Sequence, residues 1–285
     1  MPYETLMQQL NRIHRHTRQG SILTRRRYYE AMRRFLRFVA CQFKLQNIAN
    51  VSNKHLAAYV AYLKEEGRGP NYMRTELAAI RFYYDQIPGR HELTKDNEGL
   101  GIDPRQKNRD RSWNDEEFAA MVEAAEREGE EWIVDVLVLA RETGQRIHEV
   151  VRLDRADAER ALREDKLTVK GKGGLVRNVF LTPAARTTLT RAKNRVSRGA
   201  KLFVPPGQKA HQVIKKVQDF IRRHRKPRPV PLTFHGLRYT DAQKHYRECL
   251  AAGKSKEEAE KETARRLGHR RPRVTRGYVG PFDGY

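Results

Sequence analysis

The stretch KLTVKGKGGLVRNVFLT, residues 166–182, interrupts a chain that otherwise reads as helical. LTV and VRNVFL alternate or are β-branched, and GKGG between them is glycine-rich, so the segment is expected to form a β-hairpin. On its N-terminal side, EEWIVDVLVLARETG (130–144) is a largely apolar helix ended by Gly144. Before it, SWNDEEFAAMVEAA (112–125) opens a helix with Asn114 as N-cap, and Asp115, Glu116 and Glu117 at the positive end of its dipole. From TPAARTTL onward the pattern is mostly helical, apart from a short LFVPP segment.

The first ninety residues contain no strand pattern and are expected to form a helical bundle. LTRRRYYEAMRRFLRFVACQF (23–43) places Tyr29, Met32, Leu36, Val39 and Phe43 on one apolar stripe. Arg26, Arg33 and Arg37 lie within about 40° of one another on another face. NKHLAAYVAYLKEEG (53–67) is a second helix. PNYMRTELAAIRFYYDQI (70–87) is a third, with Pro70 in its first turn, Met73, Leu77, Ile80 and Tyr84 inward, and Arg74 and Arg81 outward. The Gly-, Pro-, Asp- and Asn-rich stretch over 87–112 marks the domain boundary. The division expected is a helical domain over 1–105, a linker over 106–113 and a second domain over 114–285.

The 285 residues carry 58 Lys and Arg against 35 Asp and Glu, a net charge of +23. The excess is +8 over residues 1–50, zero over 51–100, −6 over 101–150 and +21 over 151–285. Two basic blocks separated by an acidic stretch suit a polyanion gripped from two sides, and a nucleic-acid duplex is the expected partner, double-stranded DNA by the resemblance given below. No apolar run approaches the roughly 20 residues of a membrane span, and the N-terminus lacks a signal-peptide core. A cytoplasmic, nucleoid-associated protein without membrane contact is therefore expected. Cys41 and Cys249 form no CxxC pair, which argues against a disulfide framework or a cysteine-based zinc site.

Five short patterns follow one another: TGQRIHEVVRL (143–153), VKGKGG (169–174), TFHGLRYT (233–240), RRLGH (265–269) and GY (277–278). In this order and spacing they resemble the tyrosine recombinases, the phage integrases and Xer-type recombinases. The resemblance in motifs covers 143–278; the N-terminal region is similar to the family's SAM-like core-binding domain in size and character. It implies a mainly α protein with a small β-hairpin, in which a core-binding domain precedes an α+β catalytic domain. It implies a site of Arg146, Lys172, His235, Arg238, His269 and Tyr278, with Arg26, Arg33, Arg37, Arg74 and Arg81 as DNA-binding candidates by helical phase.

By that resemblance Tyr278 attacks a phosphodiester, forms a 3′-phosphotyrosyl bond and releases a 5′-hydroxyl. The residue types suit the chemistry. Paired guanidiniums neutralise the non-bridging oxygens as they gain charge. His235 takes the phenolic proton, Lys172 protonates the leaving oxygen, and His269 hydrogen-bonds the phosphate. The arginines supply the charge, so neither a metal nor another cofactor is expected, and the covalent intermediate stores the bond energy without ATP. Lys170 rivals Lys172 as the acid; Tyr239 and Tyr285 rival Tyr278. Tyr239 stands where the family commonly has a second His, and the Arg238–His269 segment is long, with a break at Gly253–Lys254–Ser255. The expected activity is site-specific DNA recombination or integration by a tetramer on paired sites. The alternatives are type IB topoisomerase-like nicking and resealing, and a DNA-binding architectural protein without catalysis. Only seven residues follow Tyr278, and an extended tail, possible anchors Phe282 and Tyr285, and a monomer in the absence of DNA are expected.

Overall fold

The computed structural model describes residues 1–104, 109–171, 174–269 and 271–280, the side chain of Arg273 excepted. The chain divides into two compact units, Met1–Gln106 and Lys107–Tyr285.

The first unit is a helical bundle of α1 (Pro2–His16), α2 (Ile22–Phe43), α3 (Asn53–Glu65) and α4 (Pro70–Tyr84), with a short 3-10 turn at Ile48–Asn50. Pro70 is the first residue of α4, where its missing N–H costs no hydrogen bond. Met32, Leu36 and Val39 of α2 meet Met73, Leu77, Ile80 and Tyr84 of α4 in one buried core. Tyr29 and Phe43, at the ends of the α2 stripe, stay partly exposed; Phe35 joins the core in their place. In the loop after α4, within the expected first domain, Leu93 and Ile102 pack into the same core.

The second unit contains α5 (Asp115–Arg127), α6 (Glu131–Thr143), α7 (Ile147–Val151) and α8 (Arg155–Glu164), then the hairpin β1 (Lys166–Lys170) and β2 (Val176–Phe180). After the hairpin come α9 (Pro183–Asn194), α10 (Ala210–His224), α11 (Phe234–Ala251), α12 (Lys256–Leu267) and α13 (Pro272–Val279). The strands pair antiparallel with Leu167 opposite Val179 and Val169 opposite Arg177. Alternation sends Leu167, Val169, Arg177 and Val179 inward. Apolar α6 is the centre of the core, buried at Ile133, Val136, Leu137, Leu139 and Ala140. Asn114 caps α5 by accepting from the Glu117 amide at 2.7 Å, while Glu117 accepts from the Asn114 amide at 3.0 Å.

Residues just before α5 are tied to α11. The Trp113 amide donates to Thr240 Oγ1 at 2.9 Å and its indole N–H to the Thr233 carbonyl at 2.9 Å. A Cβ at Gly236 would collide with Trp113, so this contact requires glycine. No described helix is long and apolar enough to cross a membrane.

Candidate active site

Gly144 ends α6 at φ +59°, a left-handed conformation suited to glycine. Its carbonyl then faces Arg238 of α11, which donates to it and to the carbonyl of Leu267 at the end of α12. The Arg238 guanidinium is fully buried, and its second Nη is 3.1 Å from His269 Nε2. Burial, with Arg146 nearby, lowers even this guanidinium's pKa to about 10. A guanidinium has only donors, so His269 Nε2 is the acceptor. The His269 proton is therefore on Nδ1, which donates to Thr275 Oγ1 at 3.0 Å. Burial and the cationic Arg238 and Arg146 hold His269 down at about 3, in agreement with this neutral tautomer.

Tyr278 is on α13 of the same chain. Its hydroxyl is 3.2 Å from His235 Nε2, and its ring lies 5.9 Å from the Arg238 guanidinium carbon. The His269 ring is 5.2 Å away and the Tyr239 ring 4.4 Å away. His235 keeps an exposed edge. The protein packed around it and the charges of Arg238, Arg146 and Arg111 push it down to about 4. The three charges act in the same direction as the packing, so the imidazole is neutral near pH 7. Its Nε2 is then free to accept the tyrosine proton. Burial and the neighbouring Tyr278 raise the Tyr239 phenol instead, which disfavours it as a phenolate.

Arg146 is the N-cap residue of α7 and is held by Glu149 one turn on, with Nη1 to Oε1 at 3.0 Å. Glu149 also accepts from the Arg146 amide at 2.9 Å and from inward-facing Arg177 of β2 at 2.8 Å. Burial alone would raise the Glu149 carboxyl, but the Arg177 hydrogen bond and charge and the Arg146 contacts hold it at about 2. Beside it, a cleft of about 400 Å³ is lined by Arg146, His148, Arg222, Arg225, Thr233 and His235. A larger cavity, about 850 Å³, shares none of these residues.

The fold thus brings Arg146, His235, Arg238, His269 and Tyr278 into one neighbourhood. Lys172 and Tyr285 lie outside the described residues, as do Phe282 and the rest of the expected extended tail beyond Gly280; its first residue, Val279, is instead the buried end of α13. Lys170, the rival acid, is exposed at the end of β1. Glu149, Arg177, Thr275 and Gln243 were not among the residues picked from sequence. Gln243 donates to the Tyr278 carbonyl at 3.0 Å and to Asp110 at 2.9 Å, and so fixes the backbone under the tyrosine. The Arg146–Glu149 spacing was a readable signal; Thr275 sits six residues from His269 across the turn into α13, and Arg177 and Gln243 depend on partners distant in sequence.

Of the candidate DNA-binding arginines, Arg26, Arg33 and Arg37 are exposed on α2. Arg33 pairs with Glu30 at 2.8 Å, and Arg37 lies over the Tyr3 ring at 5.5 Å. Arg33 and Arg37 line a concavity of about 410 Å³ with Tyr59, Tyr62 and Tyr72. Arg74 donates to the Asp103 carbonyl, and Arg81 to Asn97 at 2.9 Å. Both therefore hold the loop after α4 and are less free than their helical phase suggests.

Residues 6–92 match the family model of the phage integrase N-terminal SAM-like domain. No curated protein matches the chain. Among solved structures, a lambda integrase (75–356) dimer bound to a COC′ core site has TM-score 0.68 at 18% identity, covering 97% of this chain and 94% of that one. The Tn1549 transposon integrase (82–397) in complex with transposon right-end DNA gives 0.66 at 16% identity, over 97% and 94% of the two chains. The XerH site-specific recombinase bound to a palindromic difH substrate gives 0.66 at 16% identity, over 97% and 82%. The chain therefore has the fold of the tyrosine recombinases, mostly helical with one small antiparallel hairpin, and its residues 6–92 match the phage-integrase SAM-like domain.

Proposed function

We propose that this protein is a site-specific DNA recombinase of the integrase type, which cleaves and rejoins strands through a 3′-phosphotyrosyl intermediate. The observation that carries the reading is the Tyr278 hydroxyl, 3.2 Å from neutral His235 and beside the Arg238–His269 pair.

In this reading the scissile phosphate enters the basic cleft at Arg146 and His235. The Tyr278 ring lies against Arg238, so phosphate contact with that guanidinium requires the ring to shift. His235 takes the phenolic proton as the tyrosine oxygen bonds to phosphorus and the bond to the 5′ oxygen breaks. Lys172 gives that oxygen its proton. Arg146 and Arg238 stabilise the charge on the non-bridging oxygens. Rejoining runs the same steps in reverse with a 5′-hydroxyl from a second duplex, so the phosphodiester energy is conserved in the protein–DNA bond. The substrate is double-stranded DNA with recombination sites, four subunits assemble on two such sites, and the protein works in the cytoplasm at the nucleoid.

A nicked suicide duplex, which loses the attacking 5′-hydroxyl by diffusion, should trap the covalent complex on Tyr278. Peptide mapping to another residue, or no adduct on any integrase-type site, would overturn the assignment. Relaxation of supercoiled DNA lacking paired sites would favour the topoisomerase-like alternative.

A further inference from the structure

α11 and α12 bring together a second chemical cluster, of which Cys249 also packs in the buried cluster that holds Tyr278. His245 and Cys249 are four residues apart on α11 and share a face. Glu262 reaches them from α12. Cys249 Sγ is 3.7 Å from His245 Nε2 and 3.7 Å from Glu262 Oε2. One ligand atom from each residue falls within 4.8 Å of the other two. We propose that His245, Cys249 and Glu262 form a binding site for a zinc-class divalent transition metal, which clips α12 to α11.

The two sulfur separations suit such an ion, and the imidazole nitrogen and carboxylate oxygen, within 4.8 Å of each other, need only close in on it. With metal–sulfur bonds of about 2.3 Å and metal–nitrogen or –oxygen bonds of about 2.0 Å at tetrahedral angles, sulfur lies about 3.5 Å from each partner. Both observed sulfur separations are within a few tenths of an ångström of that spacing. Glu248 Oε2 is 3.7 Å from His245 Nδ1, on the ring edge opposite the cysteine. A carboxylate there favours the proton on Nδ1 and leaves Nε2 as the ligand, the arrangement that orients metal-bound histidines.

A cation already sits against the cluster. Lys254, in the turn between the helices, contacts Glu262 Oε2 at 2.5 Å. On binding, Cys249 would release one proton to solvent and become a thiolate, and Lys254 would leave Glu262 with its own proton retained. A thiolate and a carboxylate then balance the two charges of the ion. The donor set of one sulfur, one imidazole and one carboxylate selects zinc or cobalt over magnesium or calcium.

The test uses tag-free, chelator-treated full-length protein carrying Cys41→Ser, titrated with cobalt(II). A one-to-one thiolate-to-cobalt charge-transfer band is expected, with release of about one proton and loss of the band on adding zinc. Cys249→Ser should abolish the band, and His245→Gln or Glu262→Gln should weaken cobalt binding by roughly 10-fold or more. In protein with all native ligands, saturating zinc should raise the unfolding temperature by roughly 5–10 °C, and magnesium should not. No band, a band that survives Cys249→Ser, or an unfolding temperature indifferent to zinc would overturn the proposal. None of these readouts involves DNA, so they stand or fall independently of the recombinase reading.

Discussion

Replacing Tyr278 by Phe removes only the hydroxyl and keeps the ring against Tyr239, His269 and Arg238. Covalent attachment to DNA should disappear, while equilibrium binding, dominated by phosphate contacts, stays within about twofold. Gel-shift and denaturing-gel assays on the same samples separate the two. Arg238→Lys should slow single-turnover cleavage by on the order of 100-fold or more, because a lysine cannot reach the carbonyls of Gly144 and Leu267 and His269 together. Cleavage at the wild-type rate would remove Arg238 from the charge-stabilising role. The histidines set a pH dependence of stability. Their folded values, about 4 for His235 and about 3 for His269, lie below the ordinary 6.5. Their contribution is therefore complete above about pH 6.5 and is lost as pH falls toward 4 and then 3. The unfolding temperature should decline across that window, and the decline should be shallower in His269→Gln, as calorimetry at several pH values would reveal.

Among the elements, the hairpin reaches the site through one of its four inward side chains. Arg177 of β2 meets Glu149 of α7, and both side chains are almost completely buried. Glu149→Ala leaves Arg177 with an unpaired buried charge and Arg146 without its anchor. A stability loss of about 3–5 kcal/mol follows, measurable by urea unfolding, and cleavage should fall further than DNA binding. A loss below about 1 kcal/mol would show that the pair is not the joint between hairpin and helix. The end of α6 offers a second test. Gly144→Ala forces a side chain into a left-handed conformation and against the Asp241 carboxylate and Leu267. It should cost more than the roughly 1 kcal/mol of the conformation alone and displace the carbonyl that Arg238 binds.

For the whole molecule, charge governs the partner. Of the +23 net charge, the excess in residues 1–50 comes largely from α2 and its flanks. Arg33→Ala with Arg37→Ala should weaken binding to all DNA sequences about equally and lower the slope of log affinity against log salt by up to about 2, one for each lost phosphate contact. An unchanged slope from fluorescence anisotropy over a salt series would take these two arginines out of the interface. Arg74→Ala and Arg81→Ala should act more on stability, since both side chains hold the loop that carries Leu93 and Ile102.

Sequence alone determined the helical periodicity of the first unit, the Asn114 cap, the Gly144 stop and the hairpin of 166–182. Each is set by residues within a few positions of one another, where spacing and side-chain chemistry act locally. The chemical candidates were legible for a different reason: phosphate chemistry demands particular residue types, and these stand in an ordered series of motifs. What needed tertiary structure was every contact between residues distant in the chain. Gln243 under Tyr278, Arg177 on Glu149, and His245 and Cys249 with Glu262 became visible only when the helices packed. The neutral state of His235 and His269 belongs to the same class, because it follows from burial and from arginines brought close by the fold.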